Sequence, residues 1–159
     1  MNKLETKAIA LTGHRFIPFE KQPLLKKLLV SAVTNSYEQG FTTYYCGMAV
    51  GFDMLAAEVI LELKNKLKDL KLIAVLPFQN QSDRFSSYDK KRYQSILEQA
   101  NEIVTLRKDY CNRCFLIRDD YMVEQADAVI AYLSRTDKGG TYYTCKKAQS
   151  HGLPILNLF

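Results

Sequence analysis

Strands and helices alternate six times along this 159-residue chain. That alternation predicts an α/β protein: a doubly wound, mostly parallel sheet in three α/β/α layers. Two further observations agree. The strand stretches are near-continuous apolar runs, such as Ala8-Ile9-Ala10-Leu11 and Ala128-Val129-Ile130-Ala131, as expected of strands covered on both faces. Glycine-bearing turns also lead from strand to helix, and such turns aim free backbone N–H groups and the positive end of a helix dipole at one spot.

The elements follow in order. Residues 7–12 read as the first strand. Residues 23–39 read as a helix, with Pro23 in its first turn, Gly40 at its end and an apolar stripe of Leu24, Leu25, Leu28, Leu29, Ala32 and Val33. Residues 42–46 are the second strand and 52–67 the second helix. The third strand, 72–76, is stopped by Pro77, and the polar stretch 79–87 is a loop and the candidate lid. A helix over 88–100, a short strand over 103–106, a helix over 112–125 and a buried strand over 128–133 come next. Residues 140–150 form a helix closed by Gly152, and 154–158 a final strand.

The bulk numbers set bounds. With 47% hydrophobic and 25% charged residues, the composition is that of an ordinary globule, expected as one domain over 1–159. No run of about 18 apolar residues exists, so no membrane span is expected. The stretch Met1-Asn2-Lys3-Leu4-Glu5-Thr6-Lys7 has no signal-peptide apolar region, which places the protein in the cytoplasm with its four cysteines (Cys46, Cys111, Cys114, Cys145) reduced. The net charge of +5 is a modest excess. Much of it sits in Lys64, Lys66, Lys68 and Lys71, near a helix end where cations suit the dipole. It reads more as a solvated face than as a nucleic-acid footprint.

Three loops at strand ends carry ligand-like chemistry. In Thr12-Gly13-His14-Arg15, Gly13 permits a sharp turn and Arg15 offers a fork of donors to phosphate. In the turn from Gly47 to Gly51, backbone N–H groups face an anion, and Asp53 in the following helix is either a cap or a partner for a ribose hydroxyl or a water. Glu58 lies about 140° around that helix from Asp53, so the two carboxylates share no face. In Lys138-Gly139-Gly140-Thr141, the glycines again open a helix start, where Thr141 is also a natural N-cap. Cys111-x-x-Cys114 is a lone pair with no second half to complete a zinc site, so no metal is expected. It reads as two small residues opening a helix. No P-loop, nucleophile elbow or Ser/His/Asp spacing is present. Tyr142 and Tyr143 are the foremost candidates for stacking on a base.

Together, Thr12-Gly13-His14-Arg15, Gly47-x-Ala49-x-Gly51-x-Asp53-x-x-Ala56-Ala57-Glu58 and Gly139-Gly140-Thr141-x-x-Thr144 resemble the YpsA-like branch of the SLOG superfamily. That superfamily groups the DNA-processing protein DprA with the LOG nucleotide hydrolases and proposed nucleotide sensors. The resemblance spans nearly the whole chain. It implies a Rossmann-like domain that binds a nucleotide or nucleotide derivative, ADP-ribose- or NAD-like or a nucleoside phosphate. The binding set is then Gly13, His14, Arg15, Gly47, Gly51, Asp53, Arg118, Gly139, Gly140, Thr141 and Thr144. Arg118 falls where LOG enzymes place a functional arginine, and with Asp53 it is a catalytic candidate. Homodimers are common among such relatives.

Departures bear on catalysis. LOG enzymes carry an acid where Thr144 stands, and threonine cannot supply a carboxylate to an oxocarbenium-like centre. Met48 replaces a glycine of the first turn, which narrows the room beside the backbone. Asp119 stands where YpsA-like sequences tend to have asparagine. The reading therefore leans toward binding or sensing without turnover, with no certain cofactor. A nucleotide N-glycosidic hydrolase is one alternative. The other is DprA-like single-strand nucleic-acid binding, drawn from the match of Gly47 to Asp53.

Overall fold

The computed structural model describes residues 6–134 and 138–159. Residues 1–5, part of the stretch read for a targeting signal, lie outside them. Six strands are present: β1 (Lys7–Gly13), β2 (Phe41–Cys46), β3 (Lys71–Leu76), β4 (Glu102–Thr105), β5 (Ala128–Tyr132) and β6 (Ile155–Asn157). Five helices alternate with them: α1 (Gln22–Glu38), α2 (Phe52–Lys64), α3 (Ser87–Gln99), α4 (Cys114–Gln125) and α5 (Gly140–Ser150). All pairings are parallel, in the order β4-β3-β2-β1-β5-β6. This is the doubly wound Rossmann-like architecture that the alternation predicted.

The two-residue period of each strand divides the core between the faces. Ile9 and Leu11 of β1 point into one cluster with Leu29 of α1, Met54 and Ile60 of α2 and Ile96 of α3. Ala10, with Val75 of β3 and Val129 of β5, points into the other, against Met122 of α4 and Ala148 of α5. β1 and β5 are therefore apolar on both faces, along Ala8-Ile9-Ala10-Leu11 and Ala128-Val129-Ile130-Ala131. The chain builds β1 to β4 outward in one direction, then crosses back to lay β5 on the other side of β1. Beyond the carboxyl ends of β1 and β5 lies the crevice this order creates.

Local boundaries differ where capping wins over apolar periodicity. α3 starts at Ser87 because the Ser86 hydroxyl accepts from the Asp89 N–H at 3.1 Å. α2 ends at Lys64, short of residue 67. α4 starts at Cys114 because Arg113 takes a left-handed conformation, φ 70°. That turn also corrects the cysteine reading. Cys111 and Cys114 are joined by a disulfide, their Cα atoms 5.3 Å apart and within bridging range. Cys46 and Cys145 are free and buried. No helix among the described residues is long and apolar enough to cross a membrane.

Candidate functional site

Three chain segments converge at the switch point. The loop after β1 is stitched to both neighbours: the His14 carbonyl accepts from the Phe52 N–H at 3.1 Å, and the His14 N–H donates to Tyr132 O at 3.3 Å. The His14 ring reaches across to the loop after β5, where Nε2 accepts from the Ser134 N–H at 2.8 Å. Partial burial lowers its pKa, which keeps the imidazole neutral and Nε2 an acceptor. Gly13 is small because Phe52 packs on it: a Cβ there would collide with the Phe52 ring. Close packing, rather than a sharp turn, is what requires glycine at this position.

The turn from β2 to α2 is as tightly built. Gly51 has φ 85°, and a Cβ on it would strike the Arg15 and His14 carbonyls. A Cβ on Gly47 would strike the Arg118 guanidinium. Met48 also holds positive φ, 62°, and its side chain is fully buried in the core. The methionine therefore turns away from the crevice, and the expected narrowing does not occur.

Beneath these turns lies a buried ionic group. Arg118, 5% exposed, pairs with Asp119 at 2.8 Å and donates through Nη1 to the Gly47 carbonyl. Asp53, also 5% exposed, accepts from the Ala49 N–H at 3.2 Å through Oδ2, while Oδ1 is buried with no partner among the described residues. Burial pushes the Asp53 pKa up to about 7, against the opposing pull of Arg118. Burial likewise raises Asp119, with Arg118 working against it. Burial opposes the Arg118 charge, but Asp119 and Asp53 outweigh it and raise its pKa. Two carboxylates thus flank one guanidinium, and the site holds a proton that can leave near neutral pH.

These groups line a cavity of 360 Å³. Of the residues read from the sequence, it brings together Gly13, His14, Arg15, Asp53, Arg118, Gly140 and Thr141. Gly47, Gly51 and Gly139 do not line it; Gly47 packs against the Arg118 guanidinium and Gly51 against the Arg15 carbonyl. Thr144 is fully buried and its hydroxyl donates back to the Gly140 carbonyl at 2.9 Å. The N-cap of α5 is Gly139 at φ 100°, so Thr141 is not the cap. Tyr143 donates to Asp120 at 2.8 Å, and Tyr142 lies under Lys146; neither lines the cavity. Glu58 pairs with Arg92 of α3, away from Asp53. Asp119, noted above only as a departure from the YpsA-like pattern, also lines the cavity, and so does Phe115, which the sequence reading missed. The signal for Phe115 was its spacing, one helical turn before Arg118.

The supposed lid is tethered. Gln81 is buried, donates to the Gly47 carbonyl at 3.1 Å and accepts from the Tyr93 hydroxyl at 3.2 Å.

A parallel sheet whose order reverses at β1, with strand-to-helix turns gathered over a lined cavity, defines a Rossmann-like protein with a ligand-type crevice. Residues 10–153 match the model of the YspA SLOG family, and the chain belongs to that family. It is 29% identical over 157 residues to UPF0398 proteins of Bacillus cereus strain G9842 and Bacillus thuringiensis strain Al Hakam, covering 92% of this chain and 84% of each relative. The fold is similar to that of DNA processing protein A from Helicobacter pylori, whose structure concerns single-stranded DNA binding. The TM-score is 0.66 and the identity 22%, over 96% of this chain and 65% of that one. It is also similar to the structural-genomics target TM1055, with TM-score 0.63, identity 14% and coverage of 94% and 72%.

Proposed function

We propose that the chain binds the sugar-phosphate part of a nucleotide or nucleotide derivative in the crevice beyond β1 and β5. One observation carries the reading: Asp53 Oδ1, buried in the cavity lining without a donor among the described residues. A buried unpartnered acceptor costs roughly 1–3 kcal/mol, which a ligand hydroxyl would recover. The acidic floor around Arg118 suits a ribose diol better than a phosphate. Phosphate suits the rim, where Arg15 and the opening of α5 at Gly140 supply donors.

Thermal unfolding with AMP, ADP-ribose and NAD tests it. A ligand at 100 times its dissociation constant adds about 2.7 kcal/mol. Asp53→Asn is the diagnostic variant. With its oxygen kept on the Ala49 N–H, the amide places a donor where the orphan acceptor stood. Affinity should fall about tenfold or more. A folded protein that none of these ligands stabilises, by calorimetry as well, refutes the proposal.

A second reading is favoured by the Asp53 pKa of about 7, the range of a general base. In it, Asp53 takes a proton from a water attacking a glycosidic or related bond. Released base or sugar phosphate, absent in Asp53→Asn, is its signature. A DNA-binding reading finds less support. Lys64, at the end of α2, and Lys71, at the start of β3, lie toward the opposite end of the strands from the crevice.

A further inference from the structure

A second cavity of 690 Å³ opens beside the first, and the two share Arg15, Ala49 and Phe115. Their chemistry is opposite. The inner cavity has a buried ionic floor. The outer one is lined by four aromatic rings: Phe78 and Phe85 after β3, Tyr110 after β4 and Phe115 at the start of α4. The Phe78 ring stands edge-on to Tyr110 at 5.5 Å and to Phe115 at 5.8 Å. Tyr110 remains 66% exposed, a large ring held at a cavity rim rather than in the core. Arg84 and Lys108 bring positive charge to its wall, Asp83 and Asp109 on the same wall oppose it, and Asn80 offers an amide donor and acceptor.

At the shared boundary, the Arg15 guanidinium lies over the Phe115 ring at 5.0 Å from its centroid. A guanidinium stacked by its face leaves its edge donors available to an anion. Aromatic face, amide edge and cationic bridge are the complement of a heteroaromatic ring joined to a phosphate.

We propose that the outer cavity is a stacking subsite for a heteroaromatic base. The ligand is then a two-part molecule: a base against Tyr110 and Phe78, a phosphate bridge at Arg15, and a sugar over Asp53. The inference rests on the preceding reading of the inner cavity and names the class of ligand, a nucleoside diphosphate carrying a second sugar. It also assigns base stacking to Phe78 and Tyr110 in place of Tyr142 and Tyr143, with Phe115 carrying the Arg15 guanidinium.

Isothermal titration with ADP-ribose, AMP and ribose 5-phosphate tests it on the whole chain. ADP-ribose should bind at least tenfold tighter than either half. Tyr110→Ala, at an exposed position that does not threaten the fold, should weaken ADP-ribose and AMP roughly 5- to 100-fold. It should leave ribose 5-phosphate unchanged, and Tyr110→Phe should restore the loss. Equal affinity for ADP-ribose and ribose 5-phosphate, or an equal loss for both in Tyr110→Ala, would overturn the stacking subsite and leave the inner-cavity reading intact. AMP binding as tightly as ADP-ribose would overturn the two-part ligand. Failure of all three to bind folded protein overturns both readings.

Discussion

Two turns of similar sequence frame the crevice, and they use their glycines differently. In the turn from β2 to α2, a Cβ on Gly47 or Gly51 would meet solid structure: the Arg118 guanidinium in one case, the Arg15 and His14 carbonyls in the other. At the start of α5, among the described residues, a Cβ on Gly139 meets nothing within 4 Å, and one on Gly140 meets only Asp119 Oδ2 at 3.8 Å. The first turn spends its glycines on packing, as a rigid support for buried charge. The second keeps its backbone open to whatever enters.

The largest test removes the charge beneath the first turn. Arg118→Met leaves Asp119 and Asp53 buried without their cation and should cost about 3–5 kcal/mol. Chemical denaturation reads this directly; a loss below 1 kcal/mol would mean that the ionic group is not structural. Next comes Gly51→Ala, which adds a carbonyl clash to positive φ. It should cost about 3 kcal/mol, a fall in Tm of roughly 6–12 °C.

The pH dependence of Asp53 is intermediate in size. Its folded pKa, about 7, lies above the ordinary carboxylate value, so the folded state holds this proton more tightly than the unfolded one. That contribution is complete below about pH 4 and is lost as pH rises through about 7. Asp53→Asn should therefore gain stability relative to the parent between pH 5 and pH 8. A constant difference across that range would place the Asp53 pKa elsewhere.

The smallest effects belong to the second turn. Gly139→Ala should cost about 1–3 kcal/mol through its backbone alone, φ 100° and ψ 170° being a region that only glycine adopts freely, while Gly140→Ala should stay within about 0.5 kcal/mol. If Gly140→Ala destabilised as much as Gly51→Ala, the contrast between the two turns would fail.

All six strands and all five helices were legible because apolar runs are local and are punctuated by Gly, Pro and Ser. The outlines of the loops were legible for the same reason. What escaped was long-range. That Arg118 is buried depends on Gly47, 71 residues away. The Met48 side chain could be judged only once its left-handed backbone aimed it inward. The aromatic wall draws Phe78, Tyr110 and Phe115 from three segments, whereas Tyr142 and Tyr143 looked apt only because they adjoin a glycine loop. The cysteine pair was misread because compartment was used to decide what a tight left-handed turn at Arg113 decides by geometry.

The contact between His14 and the loop after β5 joins residues 120 positions apart. The crevice is therefore among the last features the folding chain completes, since closing so long a loop precedes any reward from it. While β5 and α5 are still being synthesised, the first four strands can pair, yet the ligand has only half a site. On the proposed function, binding needs β5 and α5 in place: a fragment of residues 1–127 should fail to bind AMP in calorimetry even where circular dichroism finds it folded.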